Sequence, residues 1–212
     1  MDKGQIVIVG AGPTGLMAAN LLGKAGITTL IIERHMGLNN EPRAITIDDE
    51  GLRICQAVGL AHEICEQIQR NIGAYYVSKK HWLAQVRPQH HPNGYPLIST
   101  IYQPAFEATL LQGLERFPHV EIRFGHTVTA LEQDKDGVKL TINTYDGQEQ
   151  HIRCSYVLAC DGGKSRLRQI VDIVLRPPRF RDLFSAPTTD KSQRAHTQQK
   201  HATQRWLLID YS

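Results

Sequence analysis

The stretch Gln5-Ile-Val-Ile-Val-Gly-Ala-Gly-Pro-Thr-Gly15, continued by an apolar run to Gly23 and then by Thr28-Thr-Leu-Ile-Ile-Glu33, decides the fold. It reads as strand, G-x-G-x-x-G turn, helix and second strand, the opening β-α-β unit of a dinucleotide-binding architecture. Gly10 allows the tight turn out of the strand, Gly12 lets backbone approach a pyrophosphate, and Gly15 lets the helix pack closely on the strand. Pro13 and Thr14 sit with them at the helix start, where free N–H groups face anionic phosphates. Glu33 closes the second strand eighteen residues past Gly15, with Arg34 beside it. Its carboxylate can accept hydrogen bonds from an adenosine ribose. A 2′-phosphate there would meet a like charge, so FAD or NAD suits this turn better than NADP.

Composition sets the class. At 212 residues with 41% hydrophobic content, the chain can bury a sizeable core. Its formal net charge of +3 is unevenly spread. Residues 1–175 hold 17 basic and 18 acidic side chains, whereas 176–205 hold 7 and 2. The folded part therefore carries no electrostatic case for nucleic acid. Cys55, Cys65, Cys154 and Cys160 make no C-x-x-C pair, and His90-His91 has no second ligand set, so buried thiols and a solvated loop are expected rather than a metal centre. The charge-free run from Ile6 to Gly23 imitates a membrane span, but its Gly-Pro interruption fits a buried strand and helix. Without a basic leader, a cytoplasmic protein with no membrane association is expected.

Further along, Asp48-Asp49-Glu50 opens a helix with acids at the positive end of its dipole, and Gly59 marks its stop. Another helical pattern covers about 60–70. Residues 73–101 carry antiparallel strand signals instead, Ala74-Tyr-Tyr-Val77 and Trp82-Leu-Ala-Gln-Val86. A helix from Pro104 to Arg116 puts Phe106, Leu110, Leu111 and Leu114 on one face, and Pro118 ends it. Strands at Val120–Phe124, Val128–Gln133, Val138–Thr144 and His151–Cys154 then form a meander turning at Asp136-Gly137 and Asp146-Gly147. The continuously apolar Tyr156-Val-Leu-Ala-Cys160 predicts a strand covered on both faces, running into Asp161-Gly162-Gly163 and a short basic helix. Residues 176–205 lack apolar periodicity and read as a disordered basic segment, before a strand pattern resumes at 206–212.

Four blocks together resemble the FAD-dependent aromatic hydroxylases of the p-hydroxybenzoate hydroxylase type. They are Gly10-Ala-Gly-Pro-Thr-Gly15 with Glu33-Arg34; Pro42-Arg-Ala-Ile-Thr-Ile-Asp-Asp-Glu50 with Val58-Gly-Leu60; Gln103-Pro104 before Val120-Glu-Ile; and Ala159-Cys-Asp-Gly-Gly163 with Ser165 and Arg168. The second and fourth blocks look closest to 3-(3-hydroxyphenyl)propionate hydroxylases. The resemblance covers residues 5–175, and Gln204 to Asp210 more weakly.

The resemblance implies an α/β, Rossmann-like FAD-binding domain with a β-meander crossover and a partial antiparallel substrate-side sheet. Residues 1–72 and 102–175 would form the FAD-binding domain, 73–101 substrate-domain strands, and 206–212 the start of a truncated strand. Gly10, Gly12, Pro13, Thr14, Gly15, Glu33 and Arg34 would hold the ADP half of FAD. Arg43, on a mobile loop, and Gln103 would lie beside the cofactor, and Asp161-Gly162 near its pyrophosphate. The implied reaction is flavin reduction by NADH or NADPH, then transfer of oxygen from O₂ to a phenolic ring. No acid or base on the substrate side can be named, and a homodimer is left open. From the residues alone Arg43 also reads as a surface arginine, Gln103 as a helix cap and Asp161 as a plain turn.

Two departures accompany the resemblance. A second flavin-binding block of Gly-Asp-Ala-x-His type does not occur in these 212 residues, and 176–205 looks foreign to the family. A non-catalytic remnant of such a hydroxylase is therefore an alternative. An NAD-dependent reductase is another, since Tyr76-Val-Ser-Lys-Lys80 mimics a Tyr-x-x-x-Lys pair, although its antiparallel surroundings speak against it.

Overall fold

The computed structural model describes residues 5–78 and 81–174. β1 (Ile6–Val9) runs into α1 (Pro13–Lys24), which returns the chain to β2 (Thr29–Ile32). Then come the short β3 (Thr46–Ile47), α2 (Asp49–Ala57) and α3 (Ala61–Glu66). β4 (Ala74–Ser78) and β5 (His81–Val86) form a hairpin, β6 (Ser99–Thr100) pairs with β3, and α4 (Gln103–Gly113) follows. β7 (Val120–Arg123), β8 (Thr127–Asp134), β9 (Gly137–Asn143), β10 (Glu149–Cys154), β11 (Tyr156–Ala159) and α5 (Arg166–Ile170) complete the series.

Four strands make a parallel sheet in the order β11-β1-β2-β7, with Ile6 opposite both Thr29 and Tyr156, and Thr29 opposite Val120. β8, β9 and β10 form a separate antiparallel meander. The sheet lies between two layers, and the alternation of side chains along each strand supplies both. Ile8 and Ile31 pack against Leu16 and Ala19 of α1, Leu52 and Cys55 of α2, and Phe106 and Leu110 of α4. Val7, Val9, Leu30 and Ile32 face the other way, onto Val128, Leu140 and Ile142 of the meander and Leu167 of α5. That is why β1 and β2 are apolar at successive positions: neither face of the central strands meets water.

Local chemistry sets the helix starts. Pro13 occupies the first turn of α1, where its missing N–H costs nothing. Asp48 caps α2 by accepting the Gly51 N–H at 2.7 Å, and Asp49 and Glu50 fill the first turn.

The structure corrects several expectations. The helix read over 60–70 is only Ala61–Glu66, because a turn precedes the bridge from Gln69 to Thr100. The helix read to Arg116 closes as α4 at Gly113 and tightens into a single 3₁₀ turn, Leu114–Arg116. There the Arg116 guanidinium bonds the carbonyls of Gly113 and Val58 and the side chain of Asn20. β11 is not covered on both faces. Tyr156 is 68% exposed, and the strand also lies at the sheet edge, where among the described residues only β1 pairs with it. The apolar run reported a preference for burial, but not whether a neighbour stands ready to bury it.

No described helix is long and apolar enough to cross a membrane, and the described residues hold no cluster of His, Cys, Asp or Glu suited to a metal. All four cysteines are free. Burial, reinforced by nearby Cys65, pushes the Cys55 thiol up to about 11. The segments 176–205 and 206–212, and Lys79-Lys80 of the Tyr-x-x-x-Lys mimic, lie outside the described residues.

Candidate cofactor site

The C-terminal ends of β1, β2 and β11 converge on the glycine turn. Gly10 donates its N–H to the Ile32 carbonyl at 2.8 Å, and Cys160 donates to the Val9 carbonyl at 2.8 Å. Gly10 has φ +106°, and a Cβ there would press on the Cys160 carbonyl and the Asp161 nitrogen. Glycine at 10 is thus demanded twice, by backbone conformation and by the approach of β11. A Cβ at Gly15 would collide with the Gly10 carbonyl and touch the Ile8 side chain, so this glycine seats α1 against β1. Gly12 differs. A Cβ built there meets nothing within 4 Å. Among the described residues no protein atom crowds that position, which leaves it open to a ligand.

The Glu33 carboxylate closes the cradle. Oε2 accepts the Ala11 N–H at 2.8 Å and Oε1 accepts the His35 N–H at 2.9 Å. Two backbone donors fix the carboxylate against the glycine turn and leave it lone pairs for further donors, such as ribose hydroxyls. Arg34 beside it is exposed, and its Nε donates to His35 Nε2 at 3.2 Å.

Asp161 and Gly162 follow β11 on the adjoining side. Oδ2 of Asp161 accepts the N–H groups of Arg166 and Leu167 at 2.7 and 3.1 Å, capping α5, while Gly162 takes φ +84°. The other carboxylate oxygen, Oδ1, is buried and has no hydrogen-bond partner among the described residues. A buried orphan acceptor costs about 1–3 kcal/mol. Together with the open space at Gly12 and the anchored Glu33 carboxylate, it fits a cradle built for a nucleotide that brings its own donors.

Gln103 and Arg43 belong to a second cluster. Gln103 begins α4 but does not cap it. Its Oε1 accepts the N–H groups of Arg43 and Ala44, each at 2.7 Å, and its Nε2 donates to Glu107 at 2.7 Å. The Arg43 side chain is exposed. Glu107, 3% exposed, was not singled out from the sequence. The available signal was its place one turn after Gln103 on the stripe that carries Leu110 and Leu114, an acid where an apolar residue is the rule.

Burial raises the Glu107 carboxyl above its ordinary value; the Gln103 hydrogen bond and Arg43 oppose this, and Glu33 adds to it. The native state therefore keeps this proton to higher pH than the unfolded chain does. Stability is lost as pH rises from about 4.5 through the raised value. Glu107→Gln should melt at higher temperature than the parent at neutral pH and show no advantage at about pH 4, which calorimetry at the two pH values reads directly.

Two open depressions among the described residues, about 290 Å³ beside Asn71 and Arg87 and about 540 Å³ beside Gly59 and Arg116, include none of the cradle residues. Tyr75, Tyr76, Trp82 and Tyr102 are exposed, with Tyr75 and Trp82 edge to face at 4.8 Å on the hairpin, so they form no enclosed aromatic cage.

Residues 3–206 match the FAD binding domain family. The chain belongs to that family. Within this FAD-binding family it is 38% identical, over 97% of its length, to the 3-(3-hydroxy-phenyl)propionate/3-hydroxycinnamic acid hydroxylase of Mycobacterium sp. (strain JLS). The hydroxylase of the same name from Burkholderia cenocepacia (strain HI2424) is 38% identical over 82% of the chain. The chain spans about a third of these relatives, 32% of each. Among solved structures, p-nitrophenol 4-monooxygenase from Pseudomonas putida DLL-E4 superposes with a TM-score of 0.75 at 26% identity, covering 83% of this chain and 45% of that one. Anhydrotetracycline hydroxylase from Streptomyces rimosus gives 0.73 at 29%, covering 84% and 35%. The FAD-binding membership speaks against the NAD-dependent reductase reading, as does the place of Tyr76 on an antiparallel hairpin rather than in a parallel βαβ series.

Proposed function

We propose that the chain is the FAD-binding portion of a flavin-dependent monooxygenase that hydroxylates a phenolic aromatic acid, with NADH or NADPH as reductant and O₂ as co-substrate. The observation that carries this is the cradle itself: open space at Gly12 beside the anchored Glu33 carboxylate and the unpaired Asp161 oxygen. The names of the 38% identical relatives support the aromatic acid. FAD, when bound, supplies the electron transfer and oxygen chemistry. The chain's part is to hold it. Gly10, Gly12, Pro13, Thr14 and Gly15 would present backbone N–H groups to the pyrophosphate at the head of α1. Glu33 would accept from the ribose, with Arg34 at its rim. Arg43 and Gln103 would flank the flavin, and Asp161-Gly162 would border the pyrophosphate, the Asp161 oxygen being left for a sugar hydroxyl because the phosphates offer no proton.

In this reading residues 1–72 and 102–175 form the cofactor-binding part, and the exposed hairpin in 73–101 is directed to the substrate side. The setting is a reducing cytoplasm, supported by four unpaired thiols.

The test is an absorbance spectrum of the purified chain after incubation with FAD and gel filtration, followed by titration. The expected result is a yellow 1:1 complex with a dissociation constant in the micromolar range or tighter. Colourless protein after incubation would remove the cofactor assignment. NADH oxidation stimulated by a phenolic acid then addresses the hydroxylase reading.

A further inference from the structure

We propose that Glu107 is a positioning residue: it sets the orientation of the Gln103 amide, and through it holds the Pro42-Arg43-Ala44 loop. A primary amide has an accepting end and a donating end. Gln103 turns its oxygen to two backbone donors, Arg43 and Ala44, at 2.7 Å each. Flipped, its NH₂ would face those two N–H groups, donor against donor. The group on its other side is a carboxylate oxygen, 2.7 Å from Nε2. An ionised carboxylate only accepts. Two donors in front and a pure acceptor behind permit one orientation.

Burial makes this choice consequential. Gln103 and Glu107 are 6% and 3% exposed, so water cannot stand in for a lost partner. The loop itself is exposed from Glu41 to Thr46. It is otherwise joined to the body by Ile45, whose carbonyl accepts from Ile101, and by the short pairing of β3 with β6. An acid buried on an apolar helix stripe weakens packing unless it does something an apolar residue cannot. Here it reads the nitrogen end of an amide.

That the held loop borders a flavin rests on the proposed function; the clasp does not. The first readout is therefore cofactor-free: hydrogen exchange of the Arg43 and Ala44 amides in the full chain. Glu107→Leu and Gln103→Leu should each accelerate exchange about 10- to 100-fold at these two amides, and the double variant should go no further than either. Glu107→Gln, whose side-chain oxygen still accepts, should keep protection within about threefold of the parent. The decisive pair is a swap. At a pH high enough to ionise both acids, Gln103→Glu sets two carboxylates face to face and should release the loop, whereas Gln103→Glu combined with Glu107→Gln restores donor to acceptor and should recover protection. Exchange of Leu140 and Ile142, far along the chain in β9, should stay unchanged throughout. Protection surviving Glu107→Leu, or a swap that fails to recover it, overturns the proposal; the swap decides even if the leucine variant unfolds. FAD titration of the same proteins separates the two claims. A released loop with unchanged FAD affinity would leave the clasp standing and remove Arg43 from the cofactor's surroundings.

Discussion

Gly12→Val keeps the parent's fold and loses FAD, while Gly15→Val melts well below the parent. Both positions belong to one turn, yet their surroundings differ completely. A Cβ at residue 12 meets nothing within 4 Å, and Gly12 has ordinary extended φ and ψ of −77° and −177°. A Cβ there enters open space, so circular dichroism should match the parent, and the melt should fall only slightly because valine is a poorer N-cap for α1. FAD binding should fall at least a hundredfold, because a branched side chain displaces the pyrophosphate from the backbone N–H groups. At residue 15 the Cβ lies closer to the Gly10 carbonyl than real Cβ atoms approach anything. That carbonyl belongs to the backbone of the turn, so relief requires α1 to move off β1, breaking contacts of Leu16 and Ala19 with Ile8 and Ile31. Forced overpacking costs about 1–3 kcal/mol, and more where backbone itself must move, against a domain's net stability of about 5–15 kcal/mol. Matching melts for the two variants would contradict the packing described here. FAD retained by Gly12→Val would place the nucleotide elsewhere.

Glu33→Arg should lose both cofactor and stability, and Glu33→Gln mainly cofactor. The carboxylate holds the Ala11 N–H inside the turn and the His35 N–H just beyond β2. A glutamine oxygen can keep the first of these bonds, so its melt should fall by little. It loses the charge on the acceptor. Hydrogen bonds to a charged group contribute about 1.5–3 kcal/mol, so FAD affinity should drop by about 10- to 100-fold. Arginine offers no acceptor, leaves the partly buried Ala11 N–H unpaired at about 1–3 kcal/mol, and brings a cation where the lone pairs stood. Fluorescence titration beside a thermal melt distinguishes the two variants. Equal FAD affinity in parent and Glu33→Gln would remove Glu33 from the ribose contact.

The parts of the molecule that were legible in the sequence are those with a local cause. The glycine turn, the acid at the end of β2 and the Asp-Asp-Glu start of α2 each have their reason within a few residues. The turns at Asp136-Gly137 and Asp146-Gly147 do too, with φ of +143° at Gly137 and +82° at Gly147. Features that depend on distant partners were not legible. Gln103 read equally well as a helix cap, because nothing in its neighbourhood announces that Arg43 and Ala44, some sixty residues earlier, bring it their N–H groups. Glu107 interrupts the apolar stripe of α4, but one charge on a helix is ordinary, and its burial against Gln103 is what gives the interruption meaning. For β11, apolar sequence reported preference and not environment. The reach of Arg116 to Val58 and Asn20, in the 3₁₀ turn that follows α4, likewise spans elements far apart in the chain.

The two-sided packing of β1 and β2 leaves a problem of alignment. Where valine, leucine and isoleucine occupy both faces, sliding a strand by one position exchanges one greasy surface for another, and polarity offers no vernier. The marks that index these strands are at their ends: the contact of Gly10 with the chain beyond β11, and the tether from Ala11 to Glu33. The groups that would greet the nucleotide thus also keep the central strands in step, so a blurred cradle and a slipped sheet would be one and the same fault.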